Sequence, residues 1–248
     1  MSEGCRVISV FPELLGTYGD SGNTVILAKR LELRGFKVDF VEINPGVHIP
    51  SDGDFYLIGG GEDGPQARAS DLLAIESPLS RAIDRGAAIF AVCAGFQILG
   101  NSFPASNGRK LSGLGLFRVE THRHLGPRSV GELLVSPLQE LHLPILSGYE
   151  NHQSVTEVLA NGSPLGTVLV GKGNNFGSDP KVDGAIEGKA IGTYMHGPAF
   201  ARNPKLCDLV ISSVVGPIPE IEDIELTRSH QLLYQDRLNA AQAVKRRT

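Results

Sequence analysis

Cys93 stands at an abrupt change of pattern. The apolar run Ile89 to Val92 leads into it, Ala94 and Gly95 follow, and a second apolar segment runs from Phe96 to Leu99. This order predicts a buried strand, a tight turn and a helix. The small Ala-Gly pair lets the backbone bend without a side-chain clash. A nucleophile at such a bend is held at the top of a sheet, in a strained strand-to-helix elbow. The N–H of Ala94 then points to where an oxyanion forms, and the helix N-terminus favours a thiolate at Cys93. Against this stands a plain alternative. Cysteine is among the most buried residue types, and one that ends a core strand is usually packing.

A thiol that attacks an acyl carbon needs a base and an oxyanion hole. The histidines available as base are His48, His122, His124, His142, His152, His196 and His230. His196 stands out because Lys189 to Tyr194 (KAIGTY) reads as a short strand ending at Met195-His-Gly-Pro198. A third strand end is Gly59-Gly-Gly61, after Asp54 to Ile58 and before Glu62 and Asp63. In an open parallel sheet, ligands bind beyond the carboxyl ends of strands. The glycine loop and the elbow are therefore expected side by side, supplying two N–H donors to one oxyanion. His122 and His124 suggest a metal pair, but no second Cys/His cluster has zinc spacing, so no metal site is expected.

The elements that must position these residues follow from periodicity. Arg6 to Phe11 reads as a first strand, and Gly16 to Asn23 as a glycine-rich loop. That loop lacks the endings of a phosphate-binding loop or dinucleotide fingerprint. Asp20 or Ser21 is expected to cap the next helix, which runs to about Gly35 and buries Val25, Ile26, Leu27, Leu31 and Leu33. Lys37 to Ile43 reads as a strand, and Gln66 to Arg85 as helix, with a break possible at Pro78. Strand and helix alternate as in a doubly wound parallel sheet. After Gly100 the pattern changes to antiparallel strands with long loops, among them Glu132 to Val135 and Gly166 to Val170. Thr121 to Val130 and Ser147 to Ser154 read as polar segments. Leu206 to Val215 and Gln231 to Val244 read as helices, the second with Leu232, Leu233, Leu238, Ala241 and Val244 on its apolar side. The fold class expected is α/β, with no linker or repeat that divides residues 1–248 into domains.

The totals set bounds. A chain of 248 residues with 41% apolar and 20% charged residues has the make-up of an ordinary globular protein. A net charge of −4, with no basic stripe before the last few residues, argues against nucleic-acid binding. Cys5, Cys93 and Cys207 are odd in number and far apart, which suits free thiols in a reducing cytoplasm. No apolar run approaches the ~20 residues that span a bilayer, so no membrane insertion is expected.

Val92-Cys-Ala-Gly-Phe-Gln97, the Gly59–Gly61 loop and Tyr194-Met-His-Gly197 together resemble the class I glutamine amidotransferases, whose elbow reads Cys-x-Gly-x-Gln. The closer likeness is to the branch containing the cobyric acid synthase amidotransferase domains. Within it, Tyr18-Gly-Asp-Ser-Gly-Asn23, Gly148-Tyr-Glu-Asn-His152 and the Gly-Asn-Asn-Phe-Gly run at 173–177 resemble the glutaminase subunits of lipid II isoglutaminyl synthases. The resemblance implies a flavodoxin-like three-layer sandwich, with a mostly parallel central sheet and added antiparallel strands. It implies Cys93 as nucleophile, His196 as base, and Gly60 and Ala94 as oxyanion donors. Arg128 then holds the L-glutamine substrate, plausibly through its carboxylate, which suits a guanidinium fork. Gln97 matches a position near the substrate, or else faces outward on its helix. The implied partner is a Mur-ligase-like synthetase subunit of the MurT type. That partner carries ATP and Mg²⁺, no cofactor belongs to this chain, and the D-glutamate of the lipid II stem peptide is amidated. Another acceptor such as a corrinoid, or a non-catalytic scaffold role, are the alternatives. One position departs from the wider class: many members carry a glutamate two residues after the histidine, where this chain has Pro198. The acid that orients His196 is therefore expected from elsewhere in the chain or, preferentially, from the partner, with low glutaminase activity in its absence.

Overall fold

The structure, a computed structural model, describes residues 4–75, 78–174, 179–221 and 224–245. The chain begins with strand β1 (Gly4–Val10), the one-turn helix α1 (Pro12–Leu15) and helix α2 (Gly22–Glu32), then β2 (Lys37–Ile43) and β3 (Phe55–Ile58). Helices α3 (Asp63–Ala74) and α4 (Pro78–Asp84) lead into β4 (Ala88–Val92) and the short helix α5 (Ala94–Leu99). Eight short strands follow: β5 (Ser102–Pro104), β6 (Lys110–Ser112), β7 (Val119–Arg123), β8 (Ser129–Pro137), β9 (Leu146–His152), β10 (Ser154–Val158), β11 (Gly166–Val170) and β12 (Val182–Asp183). The chain then returns to the first sheet as β13 (Ala185–Glu187) and β14 (Ala190–Thr193), and continues as α6 (Ala199–Arg202), α7 (Pro204–Val215) and α8 (Ile224–Lys245).

The main sheet has the order β13-β14-β4-β3-β1-β2. All its pairs are parallel except the edge pair β13–β14. β4 lies between two neighbours and all five of its residues are buried, as a continuous apolar strand requires. From β1 the chain moves one way to β2, and from β3 it moves the other way to β4. Right-handed crossovers therefore place α2 and α3 on opposite faces, giving three layers. The point where the direction reverses, between β1 and β3, is where a doubly wound sheet opens a crevice. Register fixes the rim: Ile58 pairs with Ala91 and Thr193 with Val92. The Gly59–Gly61 loop, Cys93 and the Met195–Gly197 turn therefore leave the sheet at one edge.

The two smaller sheets have the orders β10-β7-β5-β6 and β12-β11-β8-β9. They are antiparallel apart from the single β5–β7 pairing. Arg30 of α2 forks onto Asp208 of α7 at 2.8 and 2.6 Å, and Arg34 reaches the same carboxylate at 2.9 Å. All three side chains are largely buried, which ties the two helices together.

Several details differ from the sequence reading. Leu27 and Leu31 are buried in α2, but Val25 and Leu33 face solvent, and Asn23, Thr24 and Arg30 take inner positions instead. Asn23 and Arg30 have partners in α6 and α7, which periodicity alone does not reveal. Ser147 to Ser154, expected only as a polar segment, is mostly strand β9, because alternate residues of it meet a buried network. In α8, Ala241 is buried and Tyr234 anchors the helix by donating to Ile145 O at 2.8 Å, while Leu232 and Leu233 are exposed. The side chain of Val244 and residues 175–177 of the glycine/asparagine run lie outside the described residues. The predicted break at Pro78 is real, separating α3 from α4.

Candidate active site

Cys93 follows β4 directly and is the N-cap of α5, at φ 50° and ψ −107°. A non-glycine residue in that region is strained, and it persists only where its surroundings hold it. Two bonds hold it here: Cys93 N donates to Thr193 O at 2.9 Å, and Gln97 N donates to Cys93 O at 2.9 Å. The thiol is 6% exposed at the floor of a polar cavity of about 350 Å³. Ala94, the first residue of α5, also lines that cavity. A first helical N–H has no intrahelical acceptor, which suits the oxyanion role expected of it.

His196 comes from the turn after β14 and is wholly buried. Its backbone is pinned by β9: His196 N donates to Tyr149 O at 2.8 Å, and Tyr149 N donates to His196 O at 3.1 Å. Its Nδ1 lies 2.7 Å from Asp20 Oδ2. Nε2 has no hydrogen-bond partner among the described residues, so it is the nitrogen left to serve the reaction. Burial opposes the imidazolium. The Asp20 carboxylate and the neighbouring Cys93 outweigh that and push the His196 pKa up to about 10.

Asp20 is the residue that sequence reasoning missed. Expected as a helix cap, it caps nothing: Ser21 is the N-cap of α2 and makes no side-chain capping bond. Instead, Asp20 is 2% exposed and its Oδ2 accepts from Gly60 N at 2.9 Å as well as facing His196. The expected partner-supplied acid is thus replaced by one from this chain. Three contacts bring the 16–23 loop to the histidine turn. They are the Asp20–His196 pair, the bond from Phe200 N to Asn23 Oδ1 at 2.9 Å, and Gly22 packed against Pro198, where a Cβ would meet the proline ring at 2.5 Å. Pro198, which stands where many class I members carry the acid, thus helps seat the loop that brings the acid. The clue in the sequence was position: Asp20 follows β1, whose carboxyl end borders the same crevice.

Gly60 is also corrected. Its N–H is engaged with Asp20, so it orients the acid rather than awaiting an oxyanion. Its lack of a side chain is what the site needs. A Cβ there would sit 2.7 Å from His196 Cε1, 3.1 Å from Asp20 Oδ2 and 3.3 Å from Cys93 Cβ. Gly61, the next residue, lines the cavity.

Gln97 lines the cavity but neither faces outward nor is free to grip a ligand. It is buried, its Oε1 accepts from Gln66 Nε2 at 2.8 Å, and its Nε2 donates to Ser154 Oγ and Tyr194 OH, each at 3.0 Å. Its side-chain amide shapes the wall. Arg128 does reach the cavity mouth. Asn151 holds it: Nε donates to Asn151 Oδ1, and Nη2 to Asn151 O at 3.1 Å. The Gly148–His152 segment therefore has a job at every step. Gly148 lets Met195 approach, Tyr149 pins His196, and Glu150 accepts from the backbone N–H groups of Lys172 and Gly173. Asn151 holds Arg128, and His152 stacks on Tyr194 at 3.9 Å. Burial lowers the His152 pKa, opposed by Glu150.

Residues 6–204 match the CobB/CobQ-like glutamine amidotransferase domain. The chain is 34% identical over 199 residues to the lipid II isoglutaminyl synthase (glutamine-hydrolyzing) subunit GatD of Staphylococcus aureus strain N315, covering 79% of each chain. It is 30% identical over 238 residues to the GatD subunit of Streptococcus pneumoniae strain ATCC BAA-255 / R6, covering 93% of this chain and 88% of that one. A crystal structure of a glutamine amidotransferase superposes with a TM-score of 0.56 at 16% identity, over 84% of this chain and 99% of the other, which shows a shared fold.

Proposed function

This chain belongs to the CobB/CobQ-like glutamine amidotransferase family, and from that premise we propose that it is the glutamine-hydrolysing subunit of a lipid II isoglutaminyl synthase. The observation that carries the reading is the meeting of Cys93, His196 and Asp20 around Gly60, at the base of a cavity whose mouth carries Arg128. Arg128 takes the substrate carboxylate, and the side-chain amide of L-glutamine reaches Cys93. The Cys93 sulfur, its proton passed to His196, bonds to the amide carbon. The oxyanion is met by Ala94 N–H, with Gly61 N–H in the place first expected of Gly60. The raised pKa of His196 keeps it an imidazolium, able to protonate the departing nitrogen. The C–N bond breaks, ammonia leaves, and a thioester remains. Water, deprotonated by His196, attacks the thioester; glutamate departs and the thiol is restored.

The ammonia passes to a Mur-ligase-like synthetase subunit that amidates the D-glutamate α-carboxyl of the stem peptide. ATP and Mg²⁺ are the partner's. Three free, buried cysteines suit a reducing cytoplasm. Cys93→Ala and His196→Ala are expected to abolish ammonia release from glutamine, at least 10³-fold each by the usual weight of such groups. Circular dichroism should remain that of the parent. Release that persists in Cys93→Ala overturns the assignment.

A further inference from the structure

The cavity that Cys93 lines carries four charged side chains besides the catalytic trio. Glu62, Asp63, Arg123 and Arg128 all line it. Among the described residues none of the four is in an ion pair. Arg123 donates to Ser106 O, Arg128 to Asn151, and Glu62 accepts from a phenol. Opposite charges that share a cavity yet hold only neutral partners suit a ligand that brings both charges, as an α-amino acid does.

The two carboxylates differ. Asp63 is the first residue of α3, where the helix dipole already favours an acid. Glu62 is the N-cap of that helix but makes no capping hydrogen bond. It turns instead to Tyr18, whose OH donates to Glu62 Oε1 at 2.8 Å. The same phenol oxygen accepts from Arg128 Nη2 at 3.4 Å. One oxygen thus joins an anion and a cation and holds them as neighbours. Tyr18 is itself fixed. It adopts φ 67°, a left-handed conformation costly for a bulky residue, and its ring stands edge-on to His196 with centroids 4.9 Å apart. Burial and the Glu62 carboxylate together push the phenol pKa up to about 12, so the hydroxyl stays a donor throughout the neutral range.

We propose that Glu62 recognises the substrate's α-ammonium, opposite Arg128 at the α-carboxylate, so that the site selects a zwitterionic amino acid over a carboxamide lacking the amino group. This rests on the glutaminase reading and adds the residue that sets its substrate class. The test compares ammonia release by the full-length chain from L-glutamine and from glutaramate, which is glutamine without its α-amino group. A second readout is the rate at which 6-diazo-5-oxo-L-norleucine alkylates Cys93. The parent should favour L-glutamine in kcat/KM by about 10- to 100-fold, the worth of one charge-assisted hydrogen bond. Glu62→Gln should bring that ratio close to one, with the loss in the KM for L-glutamine rather than in kcat, and should slow alkylation. Equal losses on both substrates, or an unchanged ratio, overturn the role of Glu62 while leaving the glutaminase standing. A parent chain that neither releases ammonia nor is alkylated at Cys93 overturns both.

Discussion

Asp20 shows how one carboxylate sets the chemistry of its neighbour. His196 is buried, and burial alone would leave its ring neutral. The Asp20 carboxylate 2.7 Å away, together with Cys93, lifts its pKa to about 10. This raised value also bears on stability. Its contribution is fully present below the unfolded histidine pKa of about 6.5 and is lost as pH rises through about 10. In the proposed mechanism catalysis follows the same proton, because the departing nitrogen would take it from the imidazolium. Asp20→Asn removes the charge but keeps an acceptor for Gly60 N–H. It is expected to lower kcat about 10²-fold and to move the basic limb of the kcat/KM pH profile toward neutrality. A profile measured from pH 6 to 11 checks this, and a basic limb unmoved by the substitution removes Asp20 from the role. Gln97 teaches the converse: it lies at the wall of the cavity, yet all its polar atoms are engaged by Gln66, Ser154 and Tyr194.

At the scale of elements, β9 serves as the site's splint. It pins the His196 backbone from one residue and holds Arg128 from another two residues on, so alternation along one strand couples His196 to Arg128. Gly148 makes this possible. A Cβ there would meet Met195 Cβ at 2.4 Å and Met195 Cα at 2.9 Å, in the residue just before His196. Gly148→Ala is expected to cost ~1–3 kcal/mol of stability through overpacking. It should also lower kcat/KM more than that loss implies, because the displaced backbone carries the base. Thermal denaturation beside the glutaminase assay separates the two, and full activity in a folded variant would deny the strand this part. None of this was legible in the polar sequence of 147–154, whose strand character comes from tertiary partners. The elbow at Cys93, the strand end at His196 and the alternation of β1 to β4 were legible, since each rests on a local run of apolar residues closed by small ones. What local pattern cannot carry is a contact such as Asp20 with His196, 176 residues apart.

At the scale of the whole molecule, topology assembles the site. Cys93 follows β4, the glycine loop follows β3, His196 follows β14 and Asp20 follows β1. Four parallel strands of one sheet thus send their carboxyl ends to one rim. The acid crosses the point where strand order reverses, and the loop that carries it is seated on the histidine turn by contacts within this chain. Under the proposed function, a second subunit would receive ammonia and would not be required to complete the catalytic set. The isolated full-length chain is therefore expected to hydrolyse L-glutamine in a Cys93-dependent way, at a rate within about tenfold of that with a synthetase subunit present, a difference of ~1.4 kcal/mol in barrier. Ammonia release measured with and without the synthetase decides it. An isolated chain that stays silent until the synthetase is added would return the orienting acid to the partner, as Pro198 alone suggests, and would leave Asp20 a structural link between the loop and the turn.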